Sequence, residues 1–507
     1  MQKSRFKNNE KTRVPMHKFI YLPVIITEFL EEKVSQNPPP FKMNMRLAKF
    51  FLNQVYYNVT KGWENETFDL YVPLCANILR KYYQKFHFYF NYFIDSGILE
   101  RLNYLNKGGK GTCYRYRFSA DLRSLLETVE RFPENSVINM RESKLQDKLY
   151  VGRMISKDVQ AQCSHLTKWL NSQLQIDCEA AAKVIESGNN SSFNKLSTST
   201  RILQISEGSF YATRKATSDN RLHTNLTNLC ADFRPFLSYA GEDLVNYDIK
   251  NSQPFFLIAI VELLKAQIQG GAFSVNDIID KHSDNKSLII YNIINKIYSS
   301  RSLILLKLEE SLCSSQFNEE YKLLKRWILK GEFYEDLGDV LYPGQPLNGS
   351  WERRYKKIIG KNANGKDKCT TDSKFYAQDQ KRKMTKDAIF VILFGSVDNA
   401  GDDIKLFNKH FPAFGRFLKD LKSDSSNQLA LMLQQVESTC IIDFVTKEIS
   451  KEHPDMPMFT VHDSIAIPRS WSHKVNMKEM IEKHVMAFTG VKPSIKQEYY
   501  CPDCIAS

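Results

Sequence analysis

The chain has 507 residues, 42% of them hydrophobic, which is enough to pack several cores and excludes a wholly disordered protein. Lys and Arg number 70 against 57 Asp and Glu, a net charge of +13, so a polyanionic partner is expected. Cysteines stand mostly singly among apolar neighbours, as Cys75 and Cys440 do, which suits a reducing, cytoplasmic setting. Apolar runs such as 388–394 and 255–264 fall short of a bilayer's thickness, so no membrane partner is expected.

Residues 1–42 read as a basic arm with an apolar insert at 19–29, closed by Pro38, Pro39 and Pro40. The arm lacks the apolar segment and cleavage site of a secretory signal. Over 43–120 the spacing predicts helices at 45–53, 71–82 and 86–96, the last stopped by Gly97. Two alternating stretches, 98–102 and 113–118, then flank the glycine-rich 106–111 and predict a hairpin. Helices followed by a hairpin with a basic tip resemble a winged helix-turn-helix. The resemblance implies DNA binding, with Lys107, Lys110, Arg115 and Arg117 of the wing on backbone phosphates. Protein docking is the alternative use of such a module.

Residues 121–200 predict helices at 122–132, 159–177 and 179–187, a helical linker or thumb-like region. Chemistry concentrates in 201–507. Residues 244–249 form an apolar strand that carries Asp248 near its end, followed by a helix over 251–264 with Pro254 in its first turn. Residues 458–468 read as two short strands with Asp463 at the turn between them. One such aspartate alone is most often a turn or cap residue. A carboxylate at each of two strand ends is what a two-metal site for in-line displacement requires.

Between them in sequence lies a helix over 381–396, closed by Gly395, on which Arg382, Lys386, Phe390 and Phe394 recur every fourth residue. Two cations and two aromatics on one face span ~18 Å at ~1.5 Å per residue, the length of a nucleoside triphosphate. Cys501 and Cys504 form a CxxC pair without two further zinc ligands in view.

These motifs, in this order, resemble the superfamily of family A DNA polymerases and single-subunit, phage-type RNA polymerases. Arg382-x3-Lys386-x3-Phe390-x3-Phe394-Gly395 resembles the fingers helix, R-x3-K-x3-F-x3-Y-G. Val461-His462-Asp463-Ser464 resembles the HDE or HDS motif, and Tyr247-Asp248 with Ser252-Gln253 resembles DYSQIE. The block from Arg221 to Leu229 with Arg234-Pro235-Phe236-Leu237 is similar to the segment preceding DYSQIE, and Gln434-Gln435-Val436-Glu437-Ser438 faintly to a later helix.

The resemblance covers residues 221–468. It implies an α+β fold: a mainly helical winged-helix domain, then a polymerase right hand with an antiparallel-sheet palm and helical fingers and thumb. It implies Asp248, Asp463 and the Ile249 carbonyl as ligands of two Mg²⁺ ions, with Mn²⁺ possible. Arg382 and Lys386 would bind the triphosphate, and Phe390, Phe394 and Gln253 would meet the sugar and base. Arg221, Arg234, His462 and Gln435 would meet the primer–template duplex.

Departures from the family pattern bear on the sugar. Phe394 lacks the tyrosine hydroxyl of the RNA enzymes, and Gln253 is large enough to exclude a 2′-hydroxyl, although a gapped alignment puts Phe255 there. Ser464 leans toward RNA. DNA synthesis is therefore favoured, a small single-subunit RNA polymerase or primase is the alternative, and a non-catalytic replication initiator is the third. A phage or mobile-element origin is expected. The insert at about 265–375 carries no family landmark.

Overall fold

The N-terminal third is built on aromatic side chains. Helix Met45–Thr60 presents Phe50, Phe51, Val55 and Tyr56 to one core, and helix Phe86–Asp95 presents Phe86, Tyr89, Phe90 and Phe93 to the same core. The structure is a computed structural model. It describes residues 19–60, 67–102, 106–107, 110–111, 113–129, 135–139, 157–188, 191–269, 293, 310–347, 349–361, 367–395, 401–422 and 427–501.

Three short antiparallel strands close this core. Arg115–Phe118 lies between Val72–Pro73 and Leu99–Leu102. The helix expected from residue 71 starts instead at Ala76, because Val72 and Pro73 pair with Tyr116 and Arg115. Proline lacks an N–H and fits such an edge position. Residues 19–36 also depart from the expected arm. Strand Phe19–Pro23 and helix Val24–Gln36 bury Ile20, Leu22, Ile26 and Leu30 in this same core.

The second half is α+β, organised around one strand, Glu242–Ile249. It pairs antiparallel with Leu237–Tyr239, Ser464–Pro468 and Ile495–Tyr500, and the sheet ends on Phe459–Val461 and Leu174–Ile176. A helix was expected across 159–177. Helices Lys157–Gln162 and Ser164–Thr167 are followed instead by Leu174–Ile176, whose buried Leu174 and Ile176 alternate with exposed Gln175 as an edge strand requires.

Helix Ser252–Gln269 follows the central strand and packs in a large apolar core with helices Ser315–Lys330, Phe333–Leu341, Lys381–Phe394 and Met477–Thr489. Through the middle of this core runs Gln428–Glu452, which is long and apolar enough to cross a membrane by length and composition, with 67% of its apolar window buried in the protein. Its central turn, Thr439–Val445, is π-helical, a feature that recurs at functional sites.

The insert between the central strand and Lys381–Phe394 includes a long hairpin, Ser350–Lys361 with Asp367–Ala377. Its base is pinned by buried Arg353, which donates to Asp403 at 2.8 Å, and by Tyr376, which donates to Asp387 at 2.6 Å.

Candidate active site

Cross-strand register brings the two aspartates together. Asp248 stands opposite Ser464, one residue from Asp463, on neighbouring antiparallel strands. Register partners lie ~4.5–5.5 Å apart at Cα, so residues 215 positions apart in the chain share one corner of the sheet. Asp463 follows His462 in the two-residue turn between Phe459–Val461 and Ser464–Pro468, and His462 holds φ 58°. A non-glycine residue there stores ~1–3 kcal/mol of strain, which is tolerated mainly where function needs the geometry. Asn251, at φ 56° between the central strand and its helix, is a second such residue.

The electrostatics are those of a crowded anionic pocket. Both carboxylates keep some contact with solvent, yet the surrounding protein disfavours their charge. Burial, with Asp463 and Glu498 nearby, pushes the Asp248 carboxyl up to about 8, and Lys386 opposes the shift. Asp463 is likewise raised, first by burial, with Lys386 and Arg221 opposing. A divalent cation is the natural complement of two desolvated carboxylates that repel each other. No group of three or more His, Cys, Asp or Glu side chains suited to a metal occurs among the described residues. Asp248 and Asp463 are the carboxylates that this corner brings together.

The cationic helix lies across from this pair. Lys386 is close enough to act electrostatically on both aspartates. Arg382, one turn earlier, donates its Nε to Glu335 at 2.7 Å and lays its guanidinium over the Tyr334 ring at 5.3 Å. Phe390 is 44% exposed, and its ring lies 5.4 Å from that of Phe394, which is partly buried against the core. Gly338 of helix Phe333–Leu341 lets the two helices approach: an added Cβ would meet Thr385 Oγ1 at 2.6 Å.

The residues assigned to the duplex occupy mixed settings. Arg221 donates its Nε to Glu437 at 2.9 Å. Gln435 is buried and donates to the Ser218 carbonyl, holding the loop that carries Arg221. His462 lies beside Arg221 and Arg234, and burial first, then these cations, lowers its imidazole to about 4. His462 Nδ1 and Arg234 Nε are both buried with no hydrogen-bond partner among the described residues.

In the N-terminal module Arg115 is exposed. Arg117 is held by Glu100 at 2.7 Å and also pairs with Asp69. The backbones of Lys107 and Lys110 pair across a two-residue-strand hairpin, and their side chains lie outside the described residues. Cys504 also lies outside them, so the CxxC pair is not described as a unit.

Several residues at the site received no role from the sequence motifs. Tyr334 sits beneath Arg382, its hydroxyl pushed up to about 12 by burial and by Asp463 and Asp248. Lys496 stands opposite Asp248 on the other flanking strand, ion-paired with Glu498. Glu437, 1% exposed, receives Arg221, Ser252 and Gln253. Residues 495–500, Ile-Lys-Gln-Glu-Tyr-Tyr, do not alternate in polarity, so nothing local marked them as a strand. Nothing local singled out Tyr334.

No family model matches the chain, and no curated protein matches it. Among solved structures it is similar to the polymerase domain of Pol1 from M. smegmatis, in complex with DNA primer-template and dNTP, at 10% identity and a TM-score of 0.25. The match covers 65% of this chain and 55% of that one, so it spans little more than half that protein's length.

Proposed function

We propose that the chain is a template-directed nucleotidyltransferase that extends a nucleic-acid strand from nucleoside triphosphates, with DNA synthesis favoured. The observation that carries this reading is the convergence of Asp248 and Asp463 on adjacent strands, with Lys386 acting on both. A protein that only binds DNA gains nothing from two desolvated carboxylates that repel each other.

In this reading the Glu242–Ile249 sheet is the palm and the Lys381–Phe394 helix belongs to the fingers. Asp248, Asp463 and the Ile249 carbonyl would hold two Mg²⁺ ions, which when bound activate the attacking and leaving oxygens of an in-line displacement. Lys386 and Arg382 bind the triphosphate and offset the charge that develops on departing pyrophosphate. To reach it, Arg382 exchanges Glu335 for a phosphate while Tyr334 keeps its guanidinium plane. Phe390 offers an exposed ring to the sugar and base, and Gln253 stands at the sugar. Arg221, Arg234 and His462 line the primer–template side, with Gln435 buried behind them holding the Arg221 loop, and the N-terminal module grips duplex as a winged helix.

Ser464, directly after Asp463, favours an RNA polymerase or primase as the second reading. Primer extension on a DNA template, with dNTPs and NTPs supplied separately beside an Asp248→Asn control, decides between them. Extension with dNTPs that the control lacks is the expected result. NTP-only extension reverses the sugar assignment, and no extension with either removes the reading.

A further inference from the structure

Two cysteines of the N-terminal module meet across its small sheet. Val72 stands opposite Tyr116 and Pro73 opposite Arg115, and the Leu74 N–H donates to the Tyr114 carbonyl at 3.0 Å. One more step in that register puts Cys75 opposite Cys113. The Cys75 backbone is still extended, at φ −75° and ψ 118°, and each sulfur is within hydrogen-bonding reach of the other. Hydrogen-bonded and non-hydrogen-bonded pairs alternate along such a ladder, so this position is of the closer kind, with Cα atoms ~4.5 Å apart. A disulfide spans about 4.4–6.8 Å between Cα atoms, so the pair can be joined with little backbone movement.

The two thiols are not equivalent. Cys75 directly precedes helix Ala76–Tyr82, and the N–H groups of Ile78 and Asn77 lower its thiol, with Cys113 and Lys81 adding to them. The Ile78 N–H is spent on the Cys75 carbonyl at 3.0 Å, so what it gives the sulfur is the field of a nearby dipole. Cys113 is pushed up, first by burial and then by Cys75 itself. Burial also raises Cys163, Cys178 and Cys440. Cys75 and Cys113 both keep contact with solvent, whereas Cys163 and Cys440 are buried. The thiolate is the nucleophilic form of cysteine. A partly exposed cysteine that favours it, with a neutral thiol alongside, is what a redox-sensing pair requires.

We propose that Cys75 is a site of reversible oxidation by a peroxide, and that Cys113 resolves it to an intramolecular disulfide. The Cys75 thiolate attacks one peroxide oxygen, the O–O bond breaks, and the departing hydroxide takes up a proton to become water. Cys75 is then a sulfenic acid. The Cys113 sulfur attacks the Cys75 sulfur, the S–S bond forms, and the S–O oxygen leaves as a second water with the Cys113 proton. Two thiols thus lose two electrons and two protons, and one hydrogen peroxide becomes two waters. A dithiol reductant reverses the bond by exchange. In a reducing setting such a bond is transient and reports oxidant rather than holding the fold. While it lasts, it pins the strand that returns from the 106–111 hairpin to the start of helix Ala76–Tyr82.

The test exposes the reduced, full-length chain to hydrogen peroxide, alkylates the remaining thiols and maps the peptides without reductant. The expected product is one linked pair, Cys75 with Cys113, which dithiothreitol releases. In Cys113→Ser the sulfenic acid cannot be resolved, so dimedone should label Cys75. In Cys75→Ser the labelling of Cys113 should fall to about a tenth of that or less. Iodoacetamide at neutral pH should modify Cys75 several-fold faster than Cys313, an exposed internal reference. Linked protein should melt several degrees above reduced protein, because closing the loop from residue 75 to residue 113 restricts the unfolded chain. Peroxide that leaves the two cysteines unlinked, or links either one as readily to another cysteine, overturns the pairing. Equal labelling in the two serine variants overturns the choice of Cys75 as nucleophile. Should a serine variant fail to fold, alkylation of the wild-type chain decides that choice, and Cys113 reacting before Cys75 overturns it. A linked form that melts no higher than the reduced one overturns the pinning.

Discussion

The two halves of the molecule bury different things. Among the described residues of 19–129 the buried polar side chains are Thr27, Asn53 and Ser119, none of them charged, and the core is aromatic. Its ionic groups, Asp69, Glu100, Arg117 and Arg123, pair at the surface. The sheet-bearing half buries Arg353, Asp403, Lys422 and Glu437. Each of these is matched: Arg353 with Asp403, Lys422 with the carbonyls of Ile392 and Gly395, Glu437 with Arg221. Burying an ion costs several kcal/mol unless it is so matched. Asp248 and Asp463 break the pattern, because their nearest strong neighbours include each other. A mutual repulsion that Lys386 and Arg221 offset only in part is what sets this corner apart from the matched ions elsewhere.

The largest predicted effects test that separation directly. Asp248→Asn is expected to lower extension by ~10³-fold or more while leaving the melting temperature equal or higher, since a like-charge repulsion is removed. A clear loss of stability instead would mean that the carboxylate serves the fold. Phe90→Ala should do the reverse. Phe90 is buried with its ring 4.7 Å from Tyr116 and 5.4 Å from Phe51, and its loss should cost ~3–5 kcal/mol of stability. Turnover measured well below the new melting temperature should hardly change. Arg353→Met probes the matched ions, since it leaves Asp403 buried and uncompensated, with an expected loss of ~3–5 kcal/mol by denaturant titration.

A smaller effect is expected from pH. The His165 imidazole is lowered to about 4, first by burial and then by Lys447, and it shares a hydrogen bond with Thr446 Oγ1 at 2.9 Å. The folded protein holds this group neutral, so between about pH 4 and 6.5 the unfolded chain binds more protons. Stability is full above about 6.5 and falls as pH drops toward 4. His165→Gln should flatten the midpoint-versus-pH curve in that window. An unchanged slope would place the titration elsewhere.

The aspartates and the cationic helix were legible in the sequence because their signals are local. Fourfold spacing fixes a helix face, and a carboxylate at a strand end shows in a few residues. The rest depended on pairing across long separations. Leu174–Ile176 is too short to show as a strand until it meets Leu237–Tyr239. Lys496 becomes part of the site only through its register opposite Asp248. Tyr334 arrives because Gly338 lets two helices touch, which no periodicity records. Glu437 sat inside a faintly matched motif, and its use depends on Arg221, 216 residues away. Residues 19–36 misled through composition, since a basic flank hid a strand and helix that pack into an aromatic core.

The N-terminal half sharpens the comparison from the other side, because its ions would work at the surface. Arg115 is exposed, whereas Arg117 is committed to Glu100 and Asp69. If this module grips duplex, Lys107→Glu, Lys110→Glu and Arg115→Glu together should reduce the slope of log affinity against log salt. Each phosphate contact contributes ~0.9 to that slope, so losing three removes ~2.7. Between 50 and 200 mM salt that difference is worth roughly 40-fold in affinity, about 2 kcal/mol. Surface charge reversal should leave the unfolding free energy within ~0.5 kcal/mol of wild type, unlike Phe90→Ala. An identical salt slope would assign duplex contact to the sheet-bearing half and leave this module to dock another protein. Intermediate loss, near one contact, would single out Arg115 and be checked with that substitution alone.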